Sequence, residues 1–196
     1  MITFFYTVFW LITLSDFKEQ KLKKTKEFPM VSVVIPAFNE EETVTKTIQS
    51  VIDSDYPKEK LEIIVVNDGS TDKTRERVEE FIIQNSNYNI TLINQENHGK
   101  WHALNQALDI TNGEFFACLD ADSFVKEDTL KKMLPHFKEK NVGAVLPLLK
   151  IKDPKNLLQK IQWYEYIINM FYKKLLSYLN CIHVAPGPFS IYRKKI

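Results

Sequence analysis

Predominantly apolar runs recur along the chain, separated by segments in which apolar residues have a helical spacing. The runs lie at Val31–Ile35, Leu61–Val66, Ile90–Ile93 and Phe115–Leu119. Short runs rich in Val and Ile are typical of strands that are buried on both faces of a parallel sheet. Strands that alternate with helices are joined by crossover connections. The pattern therefore predicts an α/β fold with a mostly parallel sheet and helices on both of its faces.

The segment after the first run predicts the first of these helices. Pro36 ends the strand because it has no N–H to donate, Asn39 is the expected N-cap, and Glu40–Glu42 would place negative charge in the first turn. Apolar residues follow at helical spacing: Val44, Ile48, Val51 and Ile52. We expect this stripe to pack in the core.

The C-terminal part of the chain has a longer helical pattern. After Pro154, apolar residues recur every three or four positions: Leu157, Ile161, Tyr164, Ile168, Phe171, Leu175 and Leu179. This spacing predicts a long amphipathic helix. We favour packing of its apolar face against the core, and the neighbouring aromatic residues and Lys173–Lys174 leave a membrane-lying helix as the alternative.

The N-terminus is apolar, since residues 2–14 carry no charge and lysines follow only from Lys18 onward. The run is shorter than the roughly 20 residues of a spanning helix. A signal peptide is disfavoured because no basic residue precedes the run and no small-residue cleavage site follows it. Lysines on that flank stay in the cytoplasm. We predict a membrane anchor at residues 1–17, a Lys-rich linker at residues 18–28, and the catalytic domain on the cytoplasmic face.

Composition narrows the choice of partners. The 196 residues suit one α/β domain with appendages. A formal net charge of +1, from 26 Lys and Arg against 25 Asp and Glu, provides no basic field that would favour a nucleic acid. Cys118 lies inside an apolar run and Cys181 lies far from it in the sequence, so we expect reduced thiols and neither a disulfide nor a zinc site.

Acidic residues directly follow two of the predicted strands. Asp68 follows the second strand, and Asp120 and Asp122 follow the fourth. Ligands of open α/β sheets bind outside the carboxyl ends of the strands. In an extended segment Asp120 and Asp122 would point the same way, about 6–7 Å apart, and could address one hydrated cation and a neighbouring ribose. These carboxylates predict a metal-assisted nucleotide site.

Two neighbouring features have simpler interpretations. Asp72 precedes a helical segment, where a carboxylate caps the helix and is favoured by its dipole. His98 and His102 have i, i+4 spacing, but Gly99 lies between them and no third ligand is adjacent, so zinc is not predicted. We expect His102 to lie in a helix near the nucleotide pocket.

Four motifs, in this order, resemble those of the family 2 glycosyltransferases: Val31–Glu41, Ile64–Asp72, Asn97–Lys100 and Leu119–Ser123. The resemblance covers residues 29–195. It implies the GT-A fold with its Rossmann-like sheet, an inverting reaction, and a nucleotide-diphosphate sugar as donor, with a UDP-sugar favoured. It makes residues 29–153 the nucleotide-sugar-binding domain and residues 154–196 a partial acceptor-side region.

The resemblance implies roles for residues on the nucleotide side. Ala37 and Glu40 would line the base, and Asp68 would accept a hydrogen bond from the base or ribose. Lys100 would lie near the base or the phosphates. Pro36 belongs to the same nucleotide-sugar-binding set.

The resemblance also assigns the motif after the fourth strand. Asp120 would face the ribose or the donor sugar, and Asp122 would bind the Mg²⁺ or Mn²⁺ that bridges the diphosphate. Asp120 is the second candidate metal ligand, and Ala121, between the two, belongs to the nucleotide-sugar-binding set. Such a cation would neutralise charge that develops on the nucleoside diphosphate leaving group.

The sequence departs from the family pattern at its C-terminal end. Family members usually continue past the segment Phe189–Arg193 to an acidic motif whose carboxylate deprotonates the acceptor. We find no convincing general base before Ile196 and expect it beyond that residue. We also expect residues 1–196 alone to bind the donor yet turn over poorly.

The favoured function is transfer of a sugar to a saccharide or lipid-linked acceptor by a membrane-associated glycosyltransferase. Gly99–Lys100 and Leu104–Asn105 resemble polymer-forming synthases more than polyprenyl-phosphate glycosyltransferases, which remain an alternative. A nucleotide-sugar-binding or scaffold module without turnover is a second alternative. A nucleotidylyltransferase is disfavoured because Pro36–Glu40 is acidic and lacks the Gly-rich, basic loop of that class.

Overall fold

A computed structural model describes residues 7–11, 15, 28–179, 181–182 and 188–194 of the chain. The predicted anchor lies partly, and the predicted linker almost wholly, outside these residues. Within residues 1–17, the predicted anchor, residues 7–11 and 15 are helical. In the described part of the chain, no helix has both the length and the apolar character needed to cross a membrane.

The chain divides into two compact units. One unit comprises Lys23–Pro147 and Pro186–Ile196 and contains the sheet. The other comprises Met1–Leu22 and Leu148–Ala185 and contains the long C-terminal helix.

Six strands in the described residues form one mixed sheet. They are β1 (Val31–Ala37), β2 (Leu61–Asp68), β3 (Asn89–Gln95), β4 (Phe115–Cys118), β5 (Ala144–Val145) and β6 (Ser190–Arg193). Their order is β3-β2-β1-β4-β6-β5, with β1 to β4 parallel and β6 antiparallel to both of its neighbours. The prediction of a mostly parallel sheet is confirmed. Sequence reasoning missed β5 because two residues show no periodicity, and it missed β6 because that strand has only Ile191 and Tyr192 between polar residues and forms no apolar run.

The parallel strands are connected by α1 (Val44–Ile52), α2 (Thr74–Gln84) and α3 (Lys100–Ile110). Helix α4 (Thr129–Met133) follows β4, and helix α5 (Leu157–Tyr178) lies between β5 and β6. There are 3₁₀ turns at Lys58–Lys60 and Leu134–Lys138. The small residues Ala103 and Ala107 of α3 pack on one face of the sheet against Val34, Ile64 and Val66. Helices α1, α2 and α4 contribute to the larger core cluster, which contains alternate residues of β1 and β2. The predicted helices on both faces are therefore present.

Helix α1 begins later than the sequence predicts. Its N-cap is Thr43, and no acidic residue lies in its first turn. Asn39 adopts a left-handed backbone conformation with φ of 56° and does not cap the helix. The prediction of Asn39 as N-cap and of Glu40–Glu42 in the first turn is wrong, because contacts with the next loop, described below, hold these residues outside the helix.

Helix α5 confirms the predicted long C-terminal helix. Asn156 and Gln159 form a capping box at its start, with Gln159 N–H donating to Asn156 Oδ1 over 2.8 Å. Trp10 and Tyr172 pack edge to face with ring centroids 5.6 Å apart. Most of the predicted apolar stripe is exposed, however: Leu157, Ile161, Tyr164, Ile168 and Phe171. Of the stripe, Leu175 alone is buried, so the favoured prediction that the apolar face is packed is wrong for the exposed residues.

Candidate active site

A cleft of about 270 Å³ lies at the carboxyl ends of the parallel strands. The residues that line it come from the ends of β1 and β2, the start of α3, and the turn after β4: Pro36, Ala37, Phe38, Glu40, Asp68, Lys100, Asp120, Ala121 and Asp122. This list contains every residue that the sequence predicted as nucleotide-sugar-binding. The structure thus brings the whole predicted set to one cavity, while the role of each residue as a ligand stays a prediction.

Phe38 is the cleft residue that sequence reasoning missed. Its large apolar side chain is 47% exposed. Because Phe38 lies between the strand and the first helix, no alternating or helical pattern predicts where it points. An exposed aromatic ring offers a large apolar surface beside the charged side chains of the cleft.

The loop after β1 is hydrogen-bonded to the loop after β2. Asn39 N–H donates to Ser70 Oγ over 3.0 Å, and Thr71 N–H donates to Asn39 Oδ1 over 2.8 Å. Asn tolerates the left-handed conformation better than most residues do. Asn39 therefore joins the two loops, which explains why it does not cap α1.

Acidic side chains extend this junction to the start of α2. Glu41 N–H donates to Asp72 Oδ2 over 3.1 Å, and Asp72 Oδ1 accepts from Thr74 N–H over 2.9 Å. Burial alone raises the pKa of Asp72, but the hydrogen bonds, those of Thr74 foremost, outweigh it and lower the pKa below its ordinary value. The predicted structural role of Asp72 at a helix start is confirmed.

Glu40 is held by the same elements that frame the cleft. Its N–H donates to Thr74 Oγ1 over 2.7 Å, and its Oε2 accepts from Thr43 Oγ1 over 2.6 Å. The Glu40 carboxylate therefore has a fixed orientation at the wall of the cleft.

Asp68 is buried, with an exposed fraction of 4%, and its carboxylate accepts three hydrogen bonds. Oδ1 accepts from Gln95 Nε2 over 2.5 Å and from His98 N–H over 3.0 Å, and Oδ2 accepts from Gly99 N–H over 3.0 Å. Burial raises the pKa of Asp68, but these three hydrogen bonds and the nearby His98 outweigh it, so the pKa lies below its ordinary value. Asp68 is thus ionised at neutral pH and holds the backbone of the loop that leads to Lys100.

Two glycines let this loop approach Asp68 closely. Gly69 has φ of 71°, and a Cβ at that position would lie 2.6 Å from Asn97 N. Gly99 has φ of 90° and precedes α3. Both backbone conformations are ones that residues with a Cβ rarely adopt.

Lys100, the first residue of α3, forms an ion pair with Asp120. Partial burial lowers the pKa of the Lys100 ammonium, but the hydrogen bond and charge of Asp120 outweigh it, so the pKa is raised. Both side chains are partly exposed, at 56% for Lys100 and 35% for Asp120. The pair links the loop that Asp68 holds to the motif after β4.

Asp120, Ala121 and Asp122 lie in a turn and not in an extended segment. Ser123 N–H donates to Asp120 O over 2.9 Å, as in a β-turn. Thr47 Oγ1, on α1, donates to Ala121 O over 2.8 Å and holds the turn against the core. The extended geometry from which we predicted the Asp120 to Asp122 separation is therefore wrong, although both side chains still line the cleft.

The cleft residues fit a hard divalent cation. Asp122 is exposed, with Ser123 Oγ 3.3 Å from its Oδ1, so its carboxylate is accessible. No group of three or more His, Cys, Asp and Glu that could hold a metal occurs among the described residues. Mg²⁺ is usually held by one or two carboxylates and completed by substrate phosphates, and this is the donor set that Asp122, with Asp120, provides.

Cys118 and the two histidines lie beside the cleft. Burial raises the pKa of the Cys118 thiol to about 11, with opposing effects from Lys100 and Asp120. Both Cys118 and Cys181 are free thiols, as predicted. The ring centroids of His98 and His102 are 4.9 Å apart, and His102 lies in α3, as expected.

The fold and this cleft define a class of protein. The model of the family described as "Glycosyl transferase family 2" matches residues 32–196, and the chain belongs to that family. Its sheet is GT-A-like, as the similarity to solved members of the class shows.

Among the relatives is the poly-β-1,6-N-acetyl-D-glucosamine synthase of Staphylococcus epidermidis, which is 35% identical over 168 residues. The same synthase of Staphylococcus aureus strain COL is 33% identical over 171 residues. These alignments cover 84% and 86% of this chain but only 39% and 40% of the synthases. The chain therefore spans about two fifths of the length of the curated relatives that it matches.

Two solved structures show the same fold with ligands bound. The mannosyltransferase PcManGT of Pyrobaculum calidifontis, in complex with GDP-Man and Mn²⁺, matches with a TM-score of 0.70 and 25% identity, covering 96% of this chain and 51% of that one. Residues 1–349 of TarS from S. aureus, in complex with UDP-GlcNAc, match with a TM-score of 0.62 and 25% identity, covering 84% of this chain and 45% of that one.

Proposed function

We propose that this chain is the donor-binding part of a glycosyltransferase that moves a sugar from a nucleotide-diphosphate sugar to a saccharide or lipid-linked acceptor, with inversion. One observation carries the proposal: every residue predicted to bind the nucleotide sugar lines one cleft at the strand ends. A UDP-sugar is the favoured donor. The alignment with synthases of an N-acetylglucosamine polymer and the fold shared with TarS bound to UDP-GlcNAc support that choice.

Each of three cleft residues would contact a different part of the donor. Asp68, ionised and buried, would accept a hydrogen bond from the base or ribose. The Lys100 ammonium, which stays charged at neutral pH, would contact a phosphate, either in place of Asp120 or in addition to it. Asp120 would then face the ribose or donor sugar. The cleft thereby orients the anomeric carbon toward the acceptor.

Asp122 would hold Mg²⁺ or Mn²⁺, with Asp120 as the second carboxylate. When bound, such a cation supplies positive charge that stabilises the departing diphosphate. The solved mannosyltransferase of this fold contains Mn²⁺. The accessible carboxylate of Asp122 in the cleft is the feature of this chain that supports the assignment.

We further propose that the protein is membrane-associated, with the cleft on the cytoplasmic side. The uncharged N-terminal run and the lysines that follow it support this location. The exposed apolar residues of α5 are consistent with it. Flotation of the expressed chain with liposomes tests the location, and a chain that stays entirely at the bottom of the gradient contradicts it.

The proposed function is tested by release of nucleoside diphosphate. The chain is incubated with UDP- and GDP-sugars, Mn²⁺ and candidate saccharide acceptors, and the released diphosphate and the elongated product are measured. We expect binding of one nucleotide class that depends on the metal, with slow release of diphosphate, and both should disappear when EDTA is added. Metal-dependent binding with no release at all, even on long incubation, would favour the nucleotide-sugar-binding module instead. The absence of both binding and release would contradict both proposals.

A further inference from the structure

A side-chain relay lies behind Asp68, outside the set of residues that line the cleft. Gln95 is the last residue of the edge strand β3 and is paired in register with Asp68, the last residue of β2. Gln95 Nε2 donates to Asp68 Oδ1 over 2.5 Å, and Gln95 Oε1 lies 3.2 Å from His102 Nδ1. His102 is in the first turn of α3. The relay therefore connects β2, β3 and α3 at the wall of the cleft.

The chemistry of the three groups fixes the direction of both hydrogen bonds. The ionised Asp68 carboxylate can only accept, so the NH₂ group of Gln95 must face it. The carbonyl oxygen of Gln95 then faces His102 and can only accept. His102 must therefore donate from Nδ1, and its neutral form is the Nδ1–H tautomer.

The relay determines which oxygen of Asp68 is left for a ligand. A carboxylate oxygen has about two acceptor positions. On Oδ1 both are taken, by Gln95 and by the N–H of His98, whereas Oδ2 accepts only from Gly99 among the contacts of Asp68 in the described residues. One acceptor position on Oδ2 stays available. Without Gln95 the carboxylate could rotate, because the backbone donors alone do not distinguish its two oxygens as strongly.

We propose that Gln95, itself oriented by His102, is a positioning residue that locks the Asp68 carboxylate so that Oδ2 accepts from the nucleoside. This inference rests on the proposed function, because it deepens the nucleotide-binding role of Asp68. It identifies the class of ligand group that the wall of the cleft accepts, which is a single N–H or O–H donor of the base or ribose. Gln95 acts through Asp68 and does not touch the ligand.

A series of substitutions at Gln95 tests the proposal by the affinity for UDP and GDP in the presence of Mn²⁺. Glu is nearly isosteric with Gln but cannot donate and places a negative charge beside Asp68, so Gln95→Glu should weaken binding at least about 10-fold. Gln95→Leu, which removes the donor without adding charge, should weaken it about 3- to 10-fold. Gln95→Arg restores a donor to Asp68 and should bind within about threefold of the wild type.

The matched control is Asn94→Ala. Asn94 is the neighbouring residue of β3, and its Oδ1 accepts a cross-strand hydrogen bond from Asn67 Nδ2 over 2.9 Å. This control removes a comparable side-chain hydrogen bond from the same strand end and leaves the contacts of Asp68 in place. Its affinity for the nucleoside diphosphate should stay within about twofold of the wild type. A purely structural role for Gln95 would make Glu the mildest of the three substitutions, and that order overturns the proposal.

The tautomer of His102 gives a readout that does not depend on nucleotide binding. ¹⁵N NMR of the wild type should show the Nδ1–H tautomer of His102, and Gln95→Leu should shift the ring toward Nε2–H. An Nε2–H tautomer in the wild type overturns the relay. A wild-type chain that shows the Nδ1–H tautomer but binds no nucleoside diphosphate contradicts the proposed function and, with it, the positioning role, while the relay itself stands.

Discussion

The two sides of the cleft are built differently. The proposed nucleotide side, defined as Asp68 with its donors Gln95, His98 and Gly99, has a buried carboxylate held by backbone and amide groups. The proposed phosphate side, defined as Lys100, Asp120 and Asp122, has partly or fully exposed side chains, and one ion pair joins two of them. Exposed ion pairs contribute little to stability and rearrange easily. A buried carboxylate that accepts three hydrogen bonds is held rigidly.

The nucleotide side is therefore preorganised, whereas the phosphate side acquires its final contacts only when a ligand binds. The nucleotide side has its geometry before any ligand binds. On the phosphate side, a diphosphate and a cation would replace the contact between Lys100 and Asp120. We therefore expect substitutions on the nucleotide side to change stability and affinity together, and substitutions on the phosphate side to change affinity alone.

The largest effect is expected for Asp122→Asn. Loss of the carboxylate removes a ligand of the proposed cation, so sugar transfer or donor hydrolysis should fall about 100-fold or more. The free energy of unfolding should change by less than about 0.5 kcal/mol, because Asp122 is exposed. Asp109→Asn, an exposed position in the last turn of α3, is the control and should keep full activity. Full activity of Asp122→Asn would contradict the assignment of Asp122 as a metal ligand.

Gly69→Ala tests the rigidity of the nucleotide side. The new Cβ would meet Asn97 N at 2.6 Å in a left-handed backbone conformation, so we expect a loss of about 1–3 kcal/mol in unfolding free energy, together with weaker nucleotide binding. Gly99→Ala separates the two causes. There the backbone, with φ of 90° and ψ of 162°, is one that glycine almost alone adopts, while the new Cβ would meet only Trp101 ring atoms, at 3.6 Å, so its loss reports the backbone conformation without a clash. Denaturant melts of both variants measure the two losses, and a loss below about 1 kcal/mol for Gly69→Ala would contradict the steric argument.

Lys100→Met tests whether the ion pair on the phosphate side affects ligand affinity without affecting stability. Removing the ammonium frees Asp120, so the affinity for Mn²⁺ alone should rise a few-fold, while the affinity for the nucleoside diphosphate with Mn²⁺ should fall about 5- to 10-fold. Stability should change little because the ion pair is exposed. Titration of Mn²⁺ by electron paramagnetic resonance, with and without UDP, measures both affinities. A fall in both would mean that Lys100 holds the turn in place.

The smallest effect concerns pH. The pKa of Asp68 in the folded chain lies below its ordinary value of 3.8. A lowered pKa stabilises the fold at pH values above the unfolded-state pKa, and the stabilisation is lost as the pH falls through the folded-state pKa. The stability difference between the wild type and Asp68→Asn, about 1 kcal/mol, should thus be constant from pH 7 to about pH 5 and shrink below about pH 4. Urea melts across this range measure it, with Asp109→Asn as the control, and a difference that grows toward low pH would contradict the sign.

The sequence predicted the parts of this molecule that depend on continuous patterns. The runs that became β1 and β2 are rich in Val and Ile, so their burial followed from composition, and the positions of β1 to β4 along the chain followed from the spacing of the apolar runs. The edge strand β3 has no buried residue, so the expectation of burial on both faces is wrong for that strand. The residues of the cleft were predictable because the fold places strand ends together, so motifs far apart in the sequence meet.

Features that depend on contacts between loops could not be predicted in this way. Asn39 is a residue type that often caps helices, yet it is hydrogen-bonded to Ser70 and Thr71, more than thirty positions away. Asp120 to Asp122 turn because Thr47 of α1 holds Ala121 O, a contact that no local pattern encodes. Gln95 gave no signal, since an amide at a strand end is ordinary until its partners are known.

Calorimetric titration of the wild type with UDP and with GDP, each with and without Mn²⁺, tests the central claim most directly. If the cleft at the strand ends binds a nucleoside diphosphate through a divalent cation, one nucleotide should bind with one-to-one stoichiometry. Its affinity should rise at least about 10-fold with Mn²⁺, and the gain should vanish in Asp122→Asn. Binding that is equally strong without the metal, or no binding of either nucleotide, would contradict the account.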